Sequence, residues 1–146
     1  MSATADAVVV RRARTSDVRA VRRLVDTYAD DRRLLSKATV TLFEDVQEFF
    51  VADLDGAVVG CGALHVLWED LAEVRTVAVD PGLRGVGVGH RVLSRLLEQA
   101  REVGVERVFC LTFETEFSRG TDSSRSKAHR SPTRCSNNSF SRMTRV

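Results

Sequence analysis

The 146-residue chain is short of several residue types at once, with three cysteines, two prolines, two lysines, one tryptophan and one tyrosine. Cys61, Cys110 and Cys135 are odd in number, far apart and without C-x-x-C spacing, which is poor material for a disulfide framework or a zinc site. Reduced thiols point to a cytoplasmic protein. Cys61 and Cys110 lie in apolar runs (VVGCGAL, RVFCLTF) and read as buried and inert. No His/Cys/Asp/Glu grouping has ligand spacing, so no metal is expected. No stretch approaches the roughly 20 apolar residues of a membrane span. The opening MSATADAVVVRR lacks the basic-then-apolar order of a secretory signal, and no membrane partner is expected.

What is present divides in two. The 22 Lys+Arg and 20 Asp+Glu net to +2. Residues 118–146 hold seven of the bases and one acid, Asp122, or +6; residues 1–117 hold 15 bases and 19 acids, or −4. The same 29-residue tail has only five apolar residues, Ala128, Cys135, Phe140, Met143 and Val146. Residues 1–117 therefore read as one domain with material for a single core, and 118–146 as a basic, Ser/Arg-rich, disordered tail. An acidic body gives no footprint for nucleic acid, and scattered tail bases without stacking aromatics do not supply one.

Hydrophobic period orders the body. Val8–Val10 suits a first strand, and Thr15 or Ser16, with Asp17, then caps a helix. Val18, Val21, Leu24, Val25 and Tyr28 give that helix one apolar face, ending near Asp30–Arg32. Leu34–Phe43 reads as a loop and a second short helix through Val46. Phe49–Leu54 and Ala57–Leu67 form a hairpin around Asp55-Gly56. Trp68-Glu69-Asp70 breaks the pattern before a strand over Ala72–Val79. Asp80-Pro81-Gly82 ends it, and a long helix follows with Val88, Val92, Leu96 and Leu97 on one face and Gly104 as its C-cap. Arg107–Phe113 is the last strand. The order β-α-(α)-β-β-β-loop-α-β implies an α+β fold with a central mixed β-sheet flanked by helices.

The element richest in chemistry is Arg84-Gly85-Val86-Gly87-Val88-Gly89, between a strand and a helix. Glycines allow a tight turn with no side chains in the way, so several N–H groups converge at the positive end of the helix dipole. Such a cradle favours a phosphate or pyrophosphate, to which Arg84 adds a charge-assisted donor. No Lys-Ser/Thr follows, which argues against a nucleoside-triphosphate loop. The glycines follow the fourth strand and not the first, which argues against a dinucleotide fold.

The stretch VAVDPGLRGVGVG, Val77–Gly89, resembles the acetyl-CoA signature R-x-x-G-x-G of the GNAT superfamily of N-acetyltransferases. The likeness covers roughly Val8–Phe117 and implies the acyl-CoA N-acyltransferase fold, with its C-terminal part missing or disordered here. It also implies acetyl-CoA as substrate, held by the amides of Gly85, Val86, Gly87, Val88 and Gly89 with Arg84, flanked by His90. Val77 and Val79 would pair with the pantetheine arm. ALHVLWEDLAEVR and LTFETEF, with Leu34-Leu35-Ser36-Lys37 upstream, are similar to the short stand-alone type of amino-acid N-acetyltransferase, the N-acetylglutamate synthases of arginine biosynthesis. The implied acceptor is L-glutamate, and a homodimer stays open.

Transfer of acetyl from a thioester to an amine needs a base, an oxyanion donor and a proton for the leaving thiolate. Glu73 is the candidate base, through water. Arg75, two residues along the strand and on the same face, and Lys37 are candidates for gripping acceptor carboxylates. Thr112, with Glu114, lies where the strand should splay for pantetheine. His65 reads as a core histidine, and Trp68 as either a pocket wall or packing. A GNAT enzyme for another amine or a protein N-terminus, or an inactive remnant, are the alternatives.

The tail departs from the resemblance. Relatives continue after LTFETEF with a helix and a phrase like F-F-x-R-H-G-F, whereas here Phe117 is followed by SRGTDSSRSKAHRSPTRCSNNSFSRMTRV. Phe-Ser-Arg-Gly-Thr-Asp-Ser can be written TTC TCG CGC GGC ACG GAT TC. Read from the third base, those letters give L-A-R-H-G-F. Wobble bases are free choices, but the first two bases of most codons are fixed. A one-base slip in a GC-rich gene, in keeping with twenty Arg against two Lys, would account for the tail.

Overall fold

The computed structural model describes residues 5–29, 39–110 and 133–134. Strands β1 (Val8–Arg12), β2 (Phe49–Leu54), β3 (Ala57–Trp68), β4 (Leu71–Val79), β5 (Arg107–Cys110) and the two-residue β6 (Thr133–Arg134) form one sheet in chain order. Neighbours from β1 to β4 are antiparallel; β5 joins β4 in parallel, and β6 pairs antiparallel with β5. The parallel step requires a crossover, and α3 (Val88–Glu102) supplies it. Helices α1 (Val18–Ala29) and α2 (Thr39–Glu44) cover one face and α3 the other. This is the expected α+β arrangement. Residues 111–113, expected to prolong β5, and the expected disordered tail lie outside the described residues, Thr133–Arg134 excepted.

Local chemistry explains the elements. Asp55 and Gly56 both have positive φ (51° and 87°), the turn that matches strand twist in a two-residue hairpin, and the Asp53 carboxylate accepts from the Gly56 N–H at 2.7 Å. At the start of α1, Thr15–Asp17 form a 3₁₀ turn instead of a simple cap, because the Asp17 carboxylate reaches back to the Arg14 N–H at 2.7 Å. At the end of α3, Gly104 (φ 86°) donates to Arg101 and Val105 to Ala100, a Schellman closure that also seats Val105 in the core.

Two cores lie on the two sheet faces. Phe50, Ala52, Leu64, Ala72 and Val74 meet Val88, Val92, Leu96 and Ala100 of α3. Phe49, Val51, Cys61, Ala63 and Ala78 meet Val18, Val21, Val25, Tyr28 and Leu42 of α1 and α2. Strand β2 alternates between them residue by residue, as a pleat should. Strand β4 does not. Ala72 and Val74 face α3, yet past Thr76 it is Val77 and Val79 that pack there while Ala78 faces α1. The inversion comes from a bulge: Arg75 pairs with Ala63 and Ala78 with Cys61, so Thr76 and Val77 together oppose Gly62. Thr76 takes φ 58° to make it.

Candidate functional site

Strand β4 runs directly into the glycine turn. Asp80 closes the strand end by accepting from Gly82 N–H at 2.8 Å, with Pro81 opening a 3₁₀ turn over Pro81–Leu83. Gly85 (φ 80°) and Gly87 (φ 88°) adopt left-handed backbone, which explains their identity. A Cβ at either would meet nothing within 4 Å, so the space before the turn is open. Gly87 is the N-cap of α3 and brings no side chain to its first amides. Those amides have no intrahelical acceptor and face outward with the positive end of the dipole. Val88 and Gly89 are buried, so any ligand contact from them is through backbone; Val86 and His90 are exposed.

Arg84 is held from beneath. Its Nε donates to the Tyr28 hydroxyl at 3.3 Å, and its Cζ lies 5.0 Å from the Tyr28 ring centroid. The same hydroxyl donates to the carbonyl of Val79. Tyr28 falls on the apolar stripe of α1, and spacing alone makes it a core residue.

On the α1/α2 face of β4 lies a second, charged group. Glu73 stands opposite His65 across the β3–β4 pair, and Arg75 opposite Ala63. The Glu48 carboxylate bridges this pair of strands, meeting His65 Nδ1 at 2.8 Å with one oxygen and Arg75 Nη2 at 3.1 Å with the other. Asp45 Oδ2 is 4.0 Å from Arg75 Nη2, and Arg75 Nε is buried without an acceptor among the described residues. Arg75 thus already has two carboxylate partners, Glu48 and the more distant Asp45. Glu73 is half-buried, and its carboxylate has no hydrogen-bond or ion-pair partner among the described residues. Lys37, Thr112 and Glu114 lie outside the described residues.

Three expectations need correction. His65 is half-buried and not a core residue, because α1 packs on β3 only as far as Ala63 and leaves His65 at the rim, bonded to Glu48. Cys110 is half-buried, since β5 lies near the sheet margin. Trp68 is 72% exposed at the tip of the β3–β4 hairpin, which removes the packing role. Cys61 does behave as expected: it is fully buried, burial pushes its thiol up to about 12, and its Sγ lies 3.6 Å from the Thr76 carbonyl of the bulge. Among the described residues no His/Cys/Asp/Glu group is arranged to hold a metal, and no helix is long and apolar enough to cross a membrane.

The acetyltransferase (GNAT) family matches residues 16–119, which include the glycine turn and both flanking elements. The chain belongs to the GNAT family. Its relatives include the amino-acid acetyltransferase of Mycobacterium tuberculosis, 65% identical over 112 residues. That alignment covers 75% of this chain and 64% of the relative, so the chain spans slightly less than two thirds of the relative's length. An amino-acid acetyltransferase of Neisseria meningitidis is 30% identical over 74% of this chain and 25% of its own. Among solved structures, a Mycobacterium tuberculosis protein in complex with CoA superposes with TM-score 0.72 at 64% identity, over 77% of this chain and 69% of that one. N-acetylglutamate synthase from Neisseria gonorrhoeae, complexed with coenzyme A and N-acetyl-glutamate, superposes with TM-score 0.74 at 28% identity, over 77% of this chain and 27% of that one.

Proposed function

We propose that this GNAT chain descends from, and has the site of, an acetyl-CoA-dependent N-acetyltransferase for the α-amino group of an amino acid, L-glutamate by preference. The observation that carries the reading is the passage of β4 into an open turn with left-handed Gly85 and Gly87 at the bare N-terminus of α3. There the amides of residues 85–89 and the Arg84 guanidinium receive the pyrophosphate of coenzyme A, with His90 at the rim. Val77, past the bulge, lies where a pantetheine arm would run along β4; the Val79 carbonyl is already taken by Tyr28, which moves the weight of that contact to Val77.

The acceptor side is the opposite face of β4. Glu73, without a partner among the described residues, takes the ammonium proton through water. The amine nitrogen attacks the thioester carbonyl, and the tetrahedral oxyanion collapses with cleavage of the C–S bond. The departing thiolate takes up, directly or through water, the proton that the nitrogen loses as the amide forms. Arg75 receives an acceptor carboxylate, with Lys37 and Thr112, both outside the described residues, as the further candidates for holding the acceptor. Support for an amino-acid acceptor comes from the 65%-identical relative, and for glutamate from the synthase complexed with N-acetyl-glutamate.

The test is thiol release from acetyl-CoA by the purified chain across a panel of amino acids. Glutamate or a close relative is expected to be preferred, and Glu73→Gln to lower kcat by about 10²–10⁴-fold with KM for acetyl-CoA little changed. Equal rates with all acceptors would sink the assignment. A second reading, an inactive remnant, is favoured by the family match ending at residue 119, where the basic tail begins. Coenzyme binding without turnover of any acceptor supports that one.

A further inference from the structure

We propose that Tyr28, the chain's one tyrosine, is a positioning residue for the coenzyme's pyrophosphate and acts through Arg84; this rests on the reading of the glycine turn given above. Tyr28 stands in the last turn of α1, 51 residues from Val79 and 56 from Arg84, and is 8% exposed. A buried phenol needs a partner for its O–H, and Tyr28 serves two. Its proton goes to the carbonyl of Val79, the last residue of β4. Its oxygen then accepts from Arg84 Nε. The guanidinium also lies over the ring, a cation–π placement.

These contacts have a joint consequence. An arginine on an exposed turn keeps most of its rotamer freedom and loses it when it grips an anion. Here the guanidinium already lies over the ring and Nε is already bonded, so part of that ordering precedes the ligand. Nε is also the nitrogen that phosphate recognition can spare, because the two Nη groups can make the parallel bonds. One phenol therefore ties both ends of the Val79–Arg84 segment, the end of the strand and the start of the turn. Ring packing alone would hold α1 to the sheet without the hydroxyl. The hydroxyl adds the tie to Arg84.

The experiment is calorimetric titration of the full chain with coenzyme A, for wild type, Tyr28→Phe, Arg84→Ala and the double variant, with a thermal midpoint for each. Phenylalanine keeps the ring and removes one oxygen. Tyr28→Phe is expected to weaken coenzyme A about tenfold. The double variant is expected to bind no more weakly than Arg84→Ala alone, since the phenol acts through that arginine. Binding by Tyr28→Phe within twofold of wild type, or losses that simply add in the double variant, would overturn the proposal. Arg84→Lys probes the same bond from the exposed side should Tyr28→Phe unfold: it keeps the charge, loses the Nε contact, and is expected to lose about tenfold, whereas wild-type affinity refutes the proposal. A wild-type chain that binds no coenzyme A refutes the parent reading, and this proposal with it.

Discussion

Asp17 carries an acid-sensitive part of the fold on one side chain. It is 7% exposed and accepts from Arg11 Nη1 at 2.8 Å, Arg11 Nη2 at 3.1 Å and the Arg14 N–H at 2.7 Å. Arg11 Nε reaches Asp53, so one guanidinium ties the start of α1 to the β2–β3 hairpin. The Arg11 bonds, helped by the Arg14 amide and opposed by burial, hold the Asp17 carboxyl below its ordinary 3.8. A depressed folded value stabilises the protein above the unfolded value and is lost as pH falls through the folded one. Asp17→Asn is therefore expected to lower the free energy of unfolding by about 2 kcal/mol at neutral pH. In urea titrations the gap to wild type should stay flat from about pH 8 to pH 5 and narrow below about pH 4. A gap unchanged at pH 3 would mean that the side chain acts by shape and not by charge. Such roles are hard to read from sequence. Asp17 stands at a helix start and resembles an ordinary cap, and Glu48 sits in a polar stretch with nothing local to link it to His65 and Arg75. Both depend on partners brought close by the sheet.

At the scale of elements, α3 lies directly on β3 because two glycines let it. A Cβ at Gly62 would stand 2.8 Å from Val92 Cγ1 and 2.9 Å from Leu96 Cδ1, and one at Gly60 would stand 3.0 Å from Val88 Cγ1. The leucine tip could turn aside, but Val92 is β-branched and fully buried. Gly62→Ala should lower stability by about 1–3 kcal/mol through overpacking. Because Val88 opens the same helix, the amides beside the glycine turn should shift with it. Hydrogen exchange would report both effects, and unaltered protection along α3 would contradict them. The elements themselves were legible where local chemistry decides: the period of α1, the Asp55-Gly56 hairpin and the Gly104 closure all follow from nearby residues. The β4 bulge was not, since its left-handed residue is Thr76, where sequence gives no glycine to mark it. The bulge matters to the site because it puts Glu73 and Arg75 on one face of the strand and Val77 and Val79 on the other.

For the whole molecule the decisive fact is the division of charge and apolar content near Ser118. A body of −4 builds both cores, while a tail of +6 follows the last residues that resemble the family. Among the described residues, strand β5 is paired on its outer side by β6 over two positions, Phe109–Arg134 and Cys110–Thr133. An edge so paired is a weak guard against association with other chains. A native C-terminus read in another frame would account for the charge, the composition and the end of the resemblance together. Sequencing the coding DNA across Phe117 is expected to give letters that, read from the third base of that codon, encode L-A-R-H-G-F. Restoring that frame should yield a chain with a higher unfolding midpoint and less aggregation, measured by calorimetry and light scattering at matched concentration. Bases that cannot encode A-R-H-G-F in any frame end the idea. In that case the basic tail is native, and the restored chain has no reason to be the more stable of the two.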